Sequence, residues 1–104
     1  MVHTIHRVIR FWFRGDFRLE FEFEDGVRRV VDLEPVLHGR LFGPLRDPAV
    51  FSRARLDSEV GTVVWPNDAD FDPATLYEWP TVKDQFAEMA KQWAVDNDET
   101  LSAG

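Results

Sequence analysis

The stretch Asn67-Asp68-Ala69-Asp70-Phe71-Asp72 sets side-chain oxygens at alternate positions, as the opening of a calcium-binding loop does. Counted from Asp68, however, the sixth position, where the sharp turn needs Gly, is Pro73. The twelfth, where a bidentate Glu closes the shell, is Trp79. The same residues have a structural use: Asn67 and Asp68 turn the chain after Pro66, and Asp72 caps a following helix. The 3 histidines are His3, His6 and His38. His3 and His6 stand three apart on a predicted strand and point to opposite faces, which separates them as metal ligands. His38 lies in a loop with no specified acid or nucleophile partner. Ser52, Ser58 and Ser102 lack a nucleophile-elbow context, and the chain has no Cys. Gly39 and Gly43 are followed by Arg40 and Pro44, without the Lys-Ser/Thr ending of a phosphate loop. Glu20 and Glu22 alternate along a strand face, where a solvated row of charge is the ordinary reading. The expectation is a non-enzymatic chain with no catalytic, cofactor-binding or metal residues.

The elements around these residues are easier to read. Val2 to Phe13 is rich in Val, Ile, Phe and Trp, and Ile5, Arg7, Ile9, Phe11 and Phe13 share one face at period two. Arg14-Gly15-Asp16 turns the chain. Phe17 to Glu24 alternates cleanly: Phe17, Leu19, Phe21 and Phe23 on one face, Arg18, Glu20, Glu22 and Glu24 on the other. A third strand, Val27 to Leu33, follows, and the side chains select the turn between them. A three-residue loop, Glu24-Asp25-Gly26 with Gly26 left-handed, pairs Phe23 with Val27, Leu19 with Val31 and Phe17 with Leu33. It also sets Glu22 against Arg28 and Arg18 against Asp32. A two-residue loop would place charge on the apolar face.

Pro35 to Leu45 reads as an irregular loop packed by Val36, Leu37, Leu41, Phe42 and Leu45. Asp47-Pro48 and Asp72-Pro73 each read as an N-cap followed by proline at the first helical position. Arg55 to Glu59 and Gly61 to Trp65 read as strands. Pro80 marks a boundary, with Thr81 and Asp84 as a capping pair. Beyond it Val82, Phe86, Met89 and Trp93 fall at spacings of four, three and four, one apolar stripe on a helix running to about Val95. Asp96 to Gly104 read as a frayed tail.

Composition bounds the rest. The chain has 104 residues, 44% hydrophobic and 30% charged, with 9 Phe and 4 Trp, enough for one domain with an aromatic core. The N-terminus lacks the apolar core of a signal peptide, and no apolar run reaches the ~20 residues of a membrane span. A cytoplasmic protein with no membrane contact is the expectation. The net charge of -7 is uneven. Residues 1–55 hold 10 basic and 8 acidic groups, whereas residues 56–104 hold 2 basic and 11 acidic, a balance of -9. That half repels a phosphate backbone and argues against nucleic acid as a partner. Arg7, Arg10, Arg14 and Arg18 leave a local basic strand open, against the plainer reading of solvated arginines on an edge.

Phe23-Glu24-Asp25-Gly26, Val31-Asp32-Leu33, Pro44-Leu45-Arg46-Asp47-Pro48 with Phe51, Gly61-Thr62-Val63-Val64-Trp65-Pro66-Asn67 and Asp70-Phe71-Asp72-Pro73 with Leu76-Tyr77 together resemble the bacterial family catalogued as domain of unknown function 2442. The resemblance covers Val8 to Tyr77. The usual Gly after Trp-Pro-Asn is Asp68 here, which puts that turn in question. The resemblance implies a small α+β protein, often encoded beside another short protein in an arrangement similar to toxin–antitoxin pairs. It supplies no catalytic residues.

These readings converge on an α+β fold: an antiparallel sheet of about five strands, two short capped helices and a C-terminal amphipathic helix. Residues 1–79 form one domain, with the helix at 80–95 packed on it or on a partner and the tail at 96–104. The function expected is a protein-interaction module, the antitoxin-like or regulatory member of a two-protein pair. Its partner is another small protein or a second copy, met through Val82, Phe86, Met89 and Trp93. The alternative is a small-molecule binding protein or minor enzyme with a pocket lined by Trp12, Trp65 and Tyr77. A third reading is a regulator that uses the arginine-bearing first strand.

Overall fold

The computed structural model describes residues 6–103, with side chains for residues 6–94. The expected strand residues Val2 to Ile5 lie outside it. Three strands form the first sheet, β1 (Val8–Phe13), β2 (Arg18–Phe23) and β3 (Arg28–Asp32), antiparallel in the order β1-β2-β3. The β2–β3 pairing sets Leu19 opposite Val31, Arg18 opposite Asp32 and Glu22 opposite Arg28, the register that the alternation demands. The loop closes as expected: Gly26 takes φ +89°, and Phe23 N–H donates to the Val27 carbonyl at 2.8 Å. A side chain at that φ would strain the backbone.

β1 departs from its predicted face. Val8 pairs with Phe23 but Arg10 pairs with Glu22, so Ile9 is the extra residue of a β-bulge. The bulge shifts parity by one. Val8, not Ile9, enters the core, while Phe11 and Phe13 keep to the apolar side and Arg10 and Trp12 to the outer side. The bulge forms where Val8 N–H donates to the Gly61 carbonyl at 2.8 Å, joining the first sheet to the second.

After β3 come a 3₁₀ turn at Glu34–Val36, α1 (Gly39–Phe42), a second 3₁₀ turn at Gly43–Arg46 and α2 (Pro48–Phe51). The segment read as irregular is thus a chain of short helical turns that buries Val36, Leu37 and Leu45. The second sheet is the hairpin of β4 (Arg55–Asp57) and β5 (Thr62–Val64), so the five strands divide three and two. Both cap-plus-proline devices work: Asp47 accepts from Ala49 N–H at 2.9 Å, and Asp72 from Ala74 N–H at 2.8 Å, opening α2 and α3 (Pro73–Tyr77).

α4 spans Trp79–Ala103. Pro80 lies in its first turn rather than before it, where a missing N–H has no intrahelical partner to lose. Thr81 N–H and Val82 N–H both reach the Glu78 carbonyl, at 2.8 and 3.1 Å, so Thr81 is inside the helix and is not its cap. The core lies between the apolar sheet face and the helices. Trp65 sits at its centre, fully buried, with its indole N–H donating to the Phe51 carbonyl at 2.9 Å. Phe71 packs edge-on against the same ring.

Candidate functional site

Strand alternation gathers Arg10, Trp12, Arg14, Glu20, Glu22 and Arg28 on the outer face of the first sheet. Arg10 meets Glu22 at 3.0 Å and Arg14 meets Glu20 at 2.8 Å. Arg28 reaches both carboxylates at 3.5 Å. The Arg28 and Arg14 guanidinium groups also stand over the Trp12 ring, 4.8 and 5.5 Å from its centroid. The hydrogen bond from Arg10 holds the Glu22 carboxyl below its ordinary range and holds the Arg10 guanidinium above its own. Three arginines shared between two glutamates form a largely neutralised lattice. Arg7 is engaged elsewhere, donating to the Ser58 carbonyl. Of the arginines around β1, Arg10 and Arg14 are thus paired with glutamates and Arg7 is turned to the β4–β5 loop.

The three aromatics of the alternative pocket lie apart. Trp12 is on the outer sheet face and Trp65 fills the core. Tyr77 closes α3 against the β2–β3 turn, where its hydroxyl donates to Asp25 Oδ2 at 2.7 Å. This bond, and then the Val27 N–H, lower the Asp25 pKa; the same bond raises that of Tyr77. His6 stacks on the Tyr77 ring at 3.8 Å, and Arg29 donates to the Tyr77 carbonyl at 2.8 Å. The group ties strand, turn and helix together.

The acidic stretch after Trp65 is likewise occupied in its own turn. Asn67 Oδ1 accepts from Ala69 N–H at 3.2 Å, its amide donates to the Leu41 carbonyl at 2.9 Å, and Asp72 caps α3. Asp68, where the family resemblance expects Gly, takes φ +67°, so the left-handed turn is kept with a side chain that tolerates it. Among the described residues no three His, Asp or Glu side chains come together at metal-binding distance.

The α4 stripe divides. Val82, Phe86 and Trp93 are half-buried against the core, and Ala90 between them is fully buried. Phe86 touches the rings of Phe71, Trp79 and Trp93 at centroid distances of 5.8, 5.6 and 5.7 Å. Met89 turns outward, 47% exposed. Trp93 reaches Phe42 on α1 at 5.8 Å and, with His38, Arg40 and Leu41, walls an open cleft of about 280 Å³. Leu41 is 45% exposed. Met89 is one helical turn before Trp93 on α4, and Leu41 and Trp93 share the cleft. The stripe pointed to Met89 and Trp93. Leu41 went unread as a surface residue, because its place opposite α4 depends on a long-range packing that no local pattern encodes.

A second cleft, about 300 Å³, separates Val30 and Asp32 of β3 and Pro35 from Trp79, Lys83 and Asp84 of α4. No helix among the described residues is long and apolar enough to cross a membrane.

No curated protein and no solved structure matches the chain. A domain family does, across both sheets, the two capped helices and the first turn of α4. Matching at residues 8–81, the chain belongs to the family described as protein of unknown function (DUF2442).

Proposed function

We propose that this chain is a small non-enzymatic protein-interaction module of the bacterial cytoplasm, the acidic, antitoxin-like or regulatory member of a two-protein pair. The observation that carries the reading is the cleft shared by Leu41 and Trp93, with Met89 one helical turn away on α4. Trp and Met are favoured anchors where a partner excludes water, and a half-buried Trp held by Phe42 and Phe86 loses little freedom on binding. The balance of -9 over residues 56–104 adds a charge that would attract a basic partner.

The test uses surface changes, because removing α4 would strip Phe86 and Ala90 from the core. Leu41→Glu with Met89→Lys leaves every buried residue in place. Capture from the cells that make the protein should bring down one small basic protein with the natural chain and lose it with the double variant. Its association rate should fall steeply as salt rises. Equal capture by both chains, or a salt-independent rate, overturns the reading.

A further inference from the structure

We infer that β3 is a self-complementary edge through which two copies pair, two-fold about Val30, into one six-stranded sheet. β3 is the last strand of its sheet and, among the described residues, pairs only with β2. The residues flanking β3 bond toward β2: the Val27 carbonyl accepts from Phe23 N–H at 2.8 Å, and Leu33 N–H donates to the Phe17 carbonyl at 2.9 Å. Antiparallel ladders alternate, so Arg29 and Val31 also face β2 while the N–H and C=O groups of Arg28, Val30 and Asp32 face outward, the Arg28 carbonyl already accepting from Arg29 Nη1 at 3.3 Å. A cleft of about 300 Å³ runs along this edge, with Trp79, Lys83 and Asp84 of α4 as its far wall. An edge of this kind is a template for another strand.

The residues along the edge name the occupant. Natural edges are guarded by charged side chains, Pro or a bulge; this one carries Arg28, Arg29 and Asp32 around a central Val30 that is 60% exposed. Arg28 and Asp32 flank it at equal spacing with opposite charge. An antiparallel copy centred on Val30 therefore brings Val30 against Val30, Arg28 against Asp32 and Asp32 against Arg28. A parallel copy in register would set like charges together. Arg28 can turn to a third carboxylate, since its side chain is 54% exposed and its contacts to Glu20 and Glu22 are the longest of the lattice at 3.5 Å. Isologous pairing of this kind closes after two copies and leaves no growing end. The net charge of -7 on each copy opposes association, and three paired residues bury little area, so the dimer is a weak, micromolar one. This edge is separate from the Leu41/Met89/Trp93 surface, and either can fail without the other.

The test exploits the two-fold axis. Val30→Lys and Val30→Glu each place like charges face to face in a homodimer, but an equimolar mixture places Lys against Glu. Sedimentation velocity over a concentration series should show a monomer–dimer equilibrium for the natural chain. Each variant alone should weaken it by about tenfold or more, and the mixture should restore it. Val30→Pro, which removes an outward N–H and no bond to β2, should also abolish it. Near-ultraviolet circular dichroism confirms that each variant is folded. A natural chain that stays monomeric at its highest soluble concentration overturns the inference. So does a mixture no better than either variant alone.

Discussion

The two faces of the first sheet are made by alternate residues of the same strands, yet they are held together by different physics. On the inner face Leu19, Phe21 and Phe23 are between 0 and 1% exposed, and their contribution is area removed from water. On the outer face Glu20 and Glu22 are nearly covered, at 15 and 14% side-chain exposure, by arginines that are themselves half in solvent. Such pairs gain little net free energy, because screening and side-chain entropy offset the attraction. The inner face therefore supplies stability, and the outer face supplies solubility and a defined surface that extends to the open edge at β3. An apolar outer face would have left the sheet two hydrophobic sides and no reason to prefer one register.

The two faces should differ most when one inner side chain is shortened. Phe21→Ala should cost about 4 kcal/mol in urea unfolding at neutral pH, from lost burial together with the cavity left beside Leu19 and Val31. A loss under about 1 kcal/mol would mean that the inner face is not the source of stability. The turn that sets both faces comes next. Nothing lies within 4 Å of a Cβ built on Gly26, so Gly26→Ala meets no clash and reports the backbone cost alone. At φ +89° that cost should be about 1–2 kcal/mol. An unchanged midpoint would show that the loop can re-form in another conformation. The outer face should respond least: Trp12→Ala removes the platform under Arg14 and Arg28 and should cost below about 1 kcal/mol. A larger loss would promote the lattice from surface dressing to structural element.

What could be read from the sequence follows the same division. The β2–β3 register was legible because one residue of slip exchanges every Phe for a charge, a penalty that local inspection can see. Both Asp-Pro caps were legible because cap and proline act within three residues. The bulge at Ile9 was not, since Val8 and Ile9 are equally apolar and the choice between them is made by Gly61, far along the chain. The division of five strands into two sheets was hidden for a related reason: the helical turns from Glu34 to Phe51 separate β3 from β4, and the second sheet returns to the first through distant bonds such as Val8 to Gly61 and Arg7 to Ser58. Pro80 misled because proline ends a helix from within but is tolerated in the first turn, and the sequence does not say which residue is first. Of the candidate site, the stripe on α4 was legible at period 3.6. Leu41 and the cleft along β3 were not, because each is a space between elements distant in sequence.

The smallest expected effect concerns a charged contact that ties the β2–β3 turn to a helix rather than to the sheet itself. Tyr77 donates to Asp25, which lowers the Asp25 pKa and raises that of Tyr77. A carboxyl with a depressed folded pKa contributes stability above its unfolded value and loses it as pH falls through the folded one. A phenol with a raised folded pKa contributes below its unfolded value and loses it as pH rises through the folded one. The contact should therefore stabilise across the neutral range and fade at both ends. Tyr77→Phe keeps the ring against Phe23 and His6 while removing the donor. The gap in urea midpoint between the natural chain and Tyr77→Phe should be widest near neutral pH. It should narrow below the ordinary range of aspartate and again above that of tyrosine. Glu22 provides the contrast: held down by Arg10, it fades only on the acid side, since arginine keeps its proton at any pH the fold survives. An Arg10→Gln variant should accordingly narrow its gap in acid alone. Two gaps that stayed constant with pH would mean that neither contact titrates with folding, and that the outer face and its turn are held by shape rather than by charge.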